Sequence, residues 1–210
     1  MAHRLRGHLV VTWQDSLVEG RIGLRPIRRR DARVWREVRL RNIDWLQQWE
    51  ATVPEEGLQA GEVPATFGAM VATLQRQARA GRVIPWVVTY DGRLVGQLTI
   101  GGIAYGSLRS AYIGYWVDEA VAGRGIMPTA VAMALDHCFD QLGLHRVEIH
   151  IRPENAASRR VVEKLGIAEE GLRRSYLHID GDWRDHICYA IVAGERPGGI
   201  LADWRSTQSR

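Results

Sequence analysis

The stretch Ala111-Tyr-Ile-Gly-Tyr-Trp-Val117, continued by Asp118 to Met127 and by Pro128 to Leu142, decides the fold. The first part has the apolar and aromatic content of a strand, the second is a glycine-containing loop, and the third reads as a helix. Val131, Ala134, Leu135, Cys138, Phe139 and Leu142 fall on one helical face, and Pro128 is acceptable at the first helical position. A helix entered this way presents unpaired N–H groups and the positive end of its dipole, so Gly123-Arg-Gly125-Ile-Met127 can offer several donors to one phosphate. Gly123 and Gly125 let the backbone come close, and Arg124 adds a charge. An ordinary strand-to-helix connection that needs two glycines accounts for the same residues.

Upstream, residues 83–90 and 93–100 are apolar runs separated by Asp91-Gly92, a two-residue hairpin signal. After the Gly-rich connection Gly101 to Ser110 the strand at 111–117 pairs on, giving three consecutive meander strands; Gly114 within it suggests a bulge or a close backbone approach. Downstream, Arg146-Val-Glu-Ile-His-Ile-Arg152 alternates as a strand, Asn155 can cap a helix to Leu165, and Gly166 can end it. Runs at Gly171 to Ile179 and Ile187 to Val192 are joined by Asp180-Gly181, a second hairpin signal.

Nearer the start, residues 1–19 have no clear period and read as an arm or a peripheral strand, and Arg21 to Arg25 is a short strand ended by Pro26. Asp31 is placed to cap a helix through Leu40, and Ala65 to Ala80 reads as a helix after the loop Pro54 to Pro64. Trp45 and Trp49 read as core, with the wall of a substrate groove as the alternative. The order of elements gives an α+β or α/β sheet layered with helices. The division is an arm at 1–19, one domain at 20–193 and a loosely held tail at 194–210.

At 210 residues and 46% hydrophobic content the chain supports one core. Cys138 and Cys188 both look like core and provide neither a disulfide framework nor a zinc spacing. The net charge is +4, with arginines clustered between Arg25 and Arg41. A solvated helix face explains that cluster better than an anionic partner such as a ribosomal surface, and no direct nucleic-acid binding is assigned. No secretory h-region or membrane span is read, so the chain is expected to be cytoplasmic, without a membrane partner. None of the histidines has metal spacing, and neither a G-x-S-x-G elbow nor a P-loop occurs. A dinucleotide site is disfavoured because Pro128 stands where a third glycine belongs.

Together these residues resemble the GNAT superfamily of N-acetyltransferases, in particular its RimJ/RimL branch of ribosomal-protein alanine N-acetyltransferases, over residues 20–193. The resemblance is carried by Gly114-Tyr-Trp-Val117, Gly123-Arg-Gly125, Pro153-Glu-Asn155-Ala-Ala-Ser158 and Val161-Val-Glu-Lys-Leu-Gly166, with Arg25-Pro26, Asp44-Trp45-Leu46 and Trp49. The superfamily's loop signature, Q/R-x-x-G-x-G/A, is broken here at Ala122 and Met127, leaving Gly125. Loss of a side chain at Ala122 need not abolish backbone binding, whereas Met127 is placed to crowd the phosphate or the helix packing.

The resemblance implies a mixed, mostly antiparallel sheet with flanking helices and a splayed cleft between the fourth and fifth core strands, 111–117 and 146–152. It implies acetyl-CoA as donor, its pyrophosphate on Ala122, Gly123, Arg124, Gly125, Ile126 and Met127, and its pantetheine along the strand ending Tyr115-Trp116-Val117, with Trp116, Val117 and Asp118 as cofactor contacts. It further implies that Asn155 holds the cofactor or amine and that Ser158 is the acid for the departing thiolate. The plain alternative is that Asn155 is only an N-cap and Ser158 faces its own backbone, and capping and chemistry can coexist.

Acetyl transfer needs a neutral amine, an oxyanion donor and routes for two protons. An α-amine of pKa about 7.7–8.0 is roughly a tenth neutral at pH 7, whereas a lysine near 10.4 is neutral about four times in ten thousand. Where some relatives carry a glutamate base, a gapless comparison gives Leu177; Glu148, Glu170, Tyr112 or a water chain are the alternatives. A protein N-terminal amine is the acceptor that best tolerates a missing base, and the resemblance implies that the protein is a ribosomal one. Lysine or a small-molecule amine, a succinyl donor, or a non-catalytic CoA-binding or ribosome-associating module are the other readings, and the tryptophans are open to a homodimer or a substrate.

Overall fold

The structure is a computed structural model that describes residues 13–54, 64 and 66–208. The readings made above for residues 1–12 and 55–63 lie outside the described residues.

The described strands are β1 (Leu17–Glu19), β2 (Ile22–Pro26), β3 (Ile84–Tyr90), β4 (Arg93–Ala104), β5 (Ser110–Val117), β6 (Arg146–Ile151), β7 (Ala168–Ile179) and β8 (Asp182–Val192). The α-helices are α1 (Ala32–Arg41), α2 (Ile43–Leu46), α3 (Phe67–Arg79), α4 (Ile126–Asp140), α5 (Ala156–Lys164) and α6 (Ile200–Gln208). The strands form one sheet in the order β1-β2-β3-β4-β5-β6-β8-β7. All neighbours are antiparallel except β5 and β6, so this is the mixed, mostly antiparallel sheet with flanking helices that the resemblance implied.

The parallel pair makes the cleft. Strands β5 and β6 are in register only from Ser110↔Arg146 to Tyr112↔Glu148, after which they part. From Ile113 to Val117, β5 has β4 as its one ladder partner, so the backbone edge turned away from β4 faces the gap.

Alternate residues of β3 explain why its sequence is apolar throughout. Trp86 and Val88 enter the larger core with α4, α5 and α6, while Val87 joins Ile27, Val38, Val71 and Leu94 under α1 and α3. A sheet covered on both faces needs apolar residues in both phases. Of the arginines of 25–41, Arg28, Arg29, Arg30, Arg33, Arg36 and Arg41 are exposed, as a solvated face requires, and Arg25 and Arg39 are half-buried. Arg25 forms two 2.9 Å bonds to buried Asp31, and Arg39 pairs with Glu50 and stacks on Trp35 and Trp116. The Asp31 carboxylate also accepts the Arg28 N–H at 2.8 Å and makes no capping bond to α1, so Asp31 holds Arg25 where a helix cap was expected.

Several expectations are corrected. The chain from Gly194 is not a loose tail: α6 buries Ile200 and Trp204 against α4. That covering explains a second difference, because α4 is buried nearly all round from Ile126 to Leu135 and does not show a single apolar face. Helix α4 also begins two residues before Pro128. Gly114 carries no bulge, since the β4–β5 register runs unbroken from Gly96↔Val117 to Gly101↔Tyr112. The irregularity lies instead between Gly101 and Ala104, in a segment expected to be a connection. There the Tyr112 ring lies over Gly101 and Gly102, where an added Cβ would stand 2.6 and 2.8 Å from ring carbons.

Candidate active site

At the end of β5, Asp118 is buried and its carboxylate is fully engaged. It accepts from the Arg41 guanidinium, from Asn42 Nδ2 at 2.8 Å and from the Ala120 N–H at 3.3 Å. Asn42 Oδ1 in turn accepts the Glu119 N–H at 2.9 Å. Burial pushes the Asp118 carboxyl up, but the bonds from Arg41 and Asn42 outweigh it and hold the group below its ordinary value. Asp118 therefore ties the start of the loop to the end of α1, and its carboxylate is occupied within the protein.

The loop then tightens. The Ala122 N–H is spent on the Glu119 carbonyl at 3.0 Å. Gly123 (φ +81°) and Gly125 (φ +75°) adopt the left-handed conformation that side chains disfavour. Gly125 is the N-cap of α4, whose ladder opens with Thr129 N–H on the Gly125 carbonyl at 3.1 Å. The N–H groups of Ile126 and Met127 stand ahead of that first bond, as in any helix N-terminus. Pro128 falls in the same turn, where lacking an N–H costs nothing.

A groove of about 410 Å³ runs from this turn to the start of α5, within the size range of small-molecule sites. Trp116, Val117, Ala122, Gly123, Gly125, Ile126, Met127, Asn155 and Ser158 line it. Arg124 does not; its guanidinium turns back to the Ala120 carbonyl at 3.3 Å. The Met127 side chain is buried in the main core, which places its bulk in helix packing. Trp45 and Trp49 are half-buried on the groove wall, so the groove reading replaces the core reading for this pair. On the α5 side, exposed Arg160 and Lys164, four residues apart on one helix face, bring two cations to the lining.

At the head of α5, Asn155 Oδ1 accepts the Ser158 N–H at 2.9 Å, which is the capping geometry. The Ser158 hydroxyl does not face its own backbone. Its Oγ is 2.8 Å from the Tyr115 hydroxyl, which also lies 3.3 Å from the Ser158 carbonyl. Burial pushes the Tyr115 hydroxyl well above the ordinary tyrosine value, with the Ser158 bond offsetting a part, so it stays protonated. Sequence reading missed Tyr115 as a partner. The signal was the period of β5, which sends Ala111, Ile113 and Tyr115 to the α5 face.

The two candidate carboxylate bases are committed elsewhere, and Tyr112 is exposed with its ring over Gly101 and Gly102. Glu148 accepts from Arg146 and Arg173 at 2.8 Å each; burial raises it, but these guanidiniums hold it below the usual carboxylate range. Glu170 pairs with Arg146 through both oxygens. Leu177 is an exposed residue of β7. His150 is pushed down to about 4, by burial first and then by Arg173, so it is neutral at pH 7. Its register partner across β6–β8 is Cys188, and Glu148, His150 and Cys188 bring three ligand atoms within 4.8 Å. Sequence spacing did not reveal that group, because the cysteine arrives from another strand. Two guanidiniums already occupy its carboxylate.

A splayed parallel pair, a left-handed glycine turn opening a helix and a hydroxyl pair at the far end of the groove define an acyl-transfer scaffold. Residues 21–168 match the family model of the acetyltransferase (GNAT) domain, and the chain belongs to that family of enzymes, whose acyl donor is acetyl-CoA. Its relatives include ribosomal-protein acetyltransferases of the RimJ/RimL type. The structure of Mycobacterium smegmatis RimJ in complex with CoA-disulfide is similar at a TM-score of 0.85 and 41% identity, covering 93% of this chain and 96% of that one. The Escherichia coli [Ribosomal protein uS5]-alanine N-acetyltransferase is 28% identical over 84% of this chain and 90% of that protein. Bacillus subtilis YjcK is 43% identical over 102 residues, which span 49% of this chain and 56% of YjcK. Among the described residues no helix is long and apolar enough to cross a membrane.

Proposed function

We propose that this acetyltransferase modifies the α-amine at the N-terminus of a protein, a ribosomal protein being the substrate class. The observation that carries the reading is the 2.8 Å contact between Ser158 and Tyr115 at the end of a groove whose other end is the Gly123–Gly125 turn. The name of the Escherichia coli relative, which covers most of both chains, supports the same acceptor.

Bound acetyl-CoA supplies a thioester whose carbonyl the amine attacks. The N–H groups ahead of the α4 ladder, with Arg160 and Lys164 on the lining of the same groove, suit its diphosphate. The gap-facing edge of β5 suits the amides of the pantetheine arm, which adds to it like a strand. A backbone N–H near Trp116 or Val117 stabilises the oxyanion. As the C–N bond forms and the C–S bond breaks, the Ser158 hydroxyl would give its proton to the thiolate and regain one from Tyr115, which takes one from solvent in turn, so that both hydroxyls end neutral. The proton lost by the amine leaves to solvent, which suits an acceptor already part neutral at pH 7. Asn155 fixes the turn that presents Ser158.

The test offers acetyl-CoA with an alanine-initiated, lysine-free peptide, the same peptide blocked at its N-terminus and carrying one lysine, and a small-molecule amine, read by mass spectrometry. The α-amine peptide is expected to be acetylated, with a rate that rises as pH approaches the α-amine value of about 7.7–8.0. Acetylation of the lysine peptide or the small amine in its place overturns the acceptor assignment, and repetition with ribosomal-protein extract identifies the acetylated N-terminus.

A further inference from the structure

Helix α6 lies beyond the residues that match the family model, which end at 168. Its Trp204 is 6% exposed and donates Nε1–H to Thr129 Oγ1 at 2.8 Å. That hydroxyl in turn donates to the Gly125 carbonyl at 2.9 Å, and the Thr129 N–H reaches the same oxygen at 3.1 Å. The indole also underlies the turn directly, with Cζ2 3.6 Å from where a Cβ on Gly125 would stand. Helix α6 is held at both ends. The Asp136 carboxylate of α4 accepts the N–H groups of Ile200 and Leu201 at 2.7 and 3.1 Å, and Arg205 pairs with Glu19 of β1.

The Gly125 carbonyl and the Ile126 N–H belong to one planar trans peptide, so fixing the oxygen in one direction aims the N–H in the other. We propose that Trp204 is a positioning residue for donor recognition: acting through Thr129, it pins the Gly125 carbonyl into α4 and so aims the Ile126 N–H out of the helix mouth at the diphosphate. This rests on the reading of Gly123–Met127 as the diphosphate seat.

The test compares kcat/KM for acetyl-CoA with that for S-acetylpantetheine, which keeps the thioester and arm but has no diphosphate, using one acceptor peptide. Wild-type protein is expected to prefer acetyl-CoA strongly. Trp204→Phe and Thr129→Val each remove one bond of the relay and should lower kcat/KM for acetyl-CoA about five- to tenfold. The loss should appear in KM, with the rate on S-acetylpantetheine retained; Thr129→Ser, which keeps the hydroxyl, should restore wild-type behaviour. Equal losses on both donors mean that α6 only supports the fold, and unchanged acetyl-CoA kinetics mean that the relay does not reach the turn; either overturns the proposal. A wild-type protein that does not distinguish the donors shows instead that the diphosphate seat is misplaced, and the proposal falls with it.

Discussion

Gly125→Val is expected to bind CoA about 100-fold more weakly than the wild-type protein, with little change in its far-UV circular dichroism. The backbone at Gly125 has φ +75°, a conformation that costs an L-residue about 1–2 kcal/mol and a β-branched one more. The relief is rotation of the 125–126 peptide, which turns the Ile126 N–H away from the mouth of α4. A hydrogen bond to a charged group contributes about 1.5–3 kcal/mol, so losing the one from the Ile126 N–H accounts for a factor of about 10 to 150. Titration calorimetry with CoA measures it directly. Affinity close to wild type would show that the turn is only a strand-to-helix connection.

The second large effect belongs to the hydroxyl pair. Ser158→Ala should lower kcat about 100-fold, the lower end of what a positioned acid contributes, while CoA affinity stays near the wild-type value. Tyr115→Phe should lower kcat less, because Ser158 keeps its hydroxyl and loses the group that orients and reprotonates it. Since burial holds the Tyr115 hydroxyl above its ordinary value, neither group titrates near neutrality. The pH profile of kcat/KM on a peptide should therefore follow the acceptor amine alone. Unchanged turnover in Ser158→Ala removes that residue from the mechanism.

What the sequence revealed was what local chemistry determines. Asp91-Gly92 and Asp180-Gly181 could be read as turns because a two-residue hairpin demands such residues wherever it occurs. Asn155 could be read as a cap and Gly166 as a stop for the same reason. The phosphate turn was legible as far as its backbone went, which covers Gly123, Gly125 and the helix mouth. Contacts between distant segments were not. Asp118 looked like a loop residue, but Arg41 and Asn42 meet it from the end of helix α1 and the residue after it. Tyr115 and Ser158 are 43 residues apart and meet only across the diverging strands. Helix α6 was hidden by Pro197 and the glycines just ahead of it, and with it the reason that α4 is buried nearly all round over its first ten residues.

A crystal structure of the complex with CoA examines the central assignment without intermediaries. Diphosphate oxygens about 3 Å from amide nitrogens of the Gly123–Met127 turn, with the sulfur facing the Ser158 hydroxyl, are the expected result. A diphosphate seated away from that turn, or a sulfur out of reach of Ser158, would contradict it.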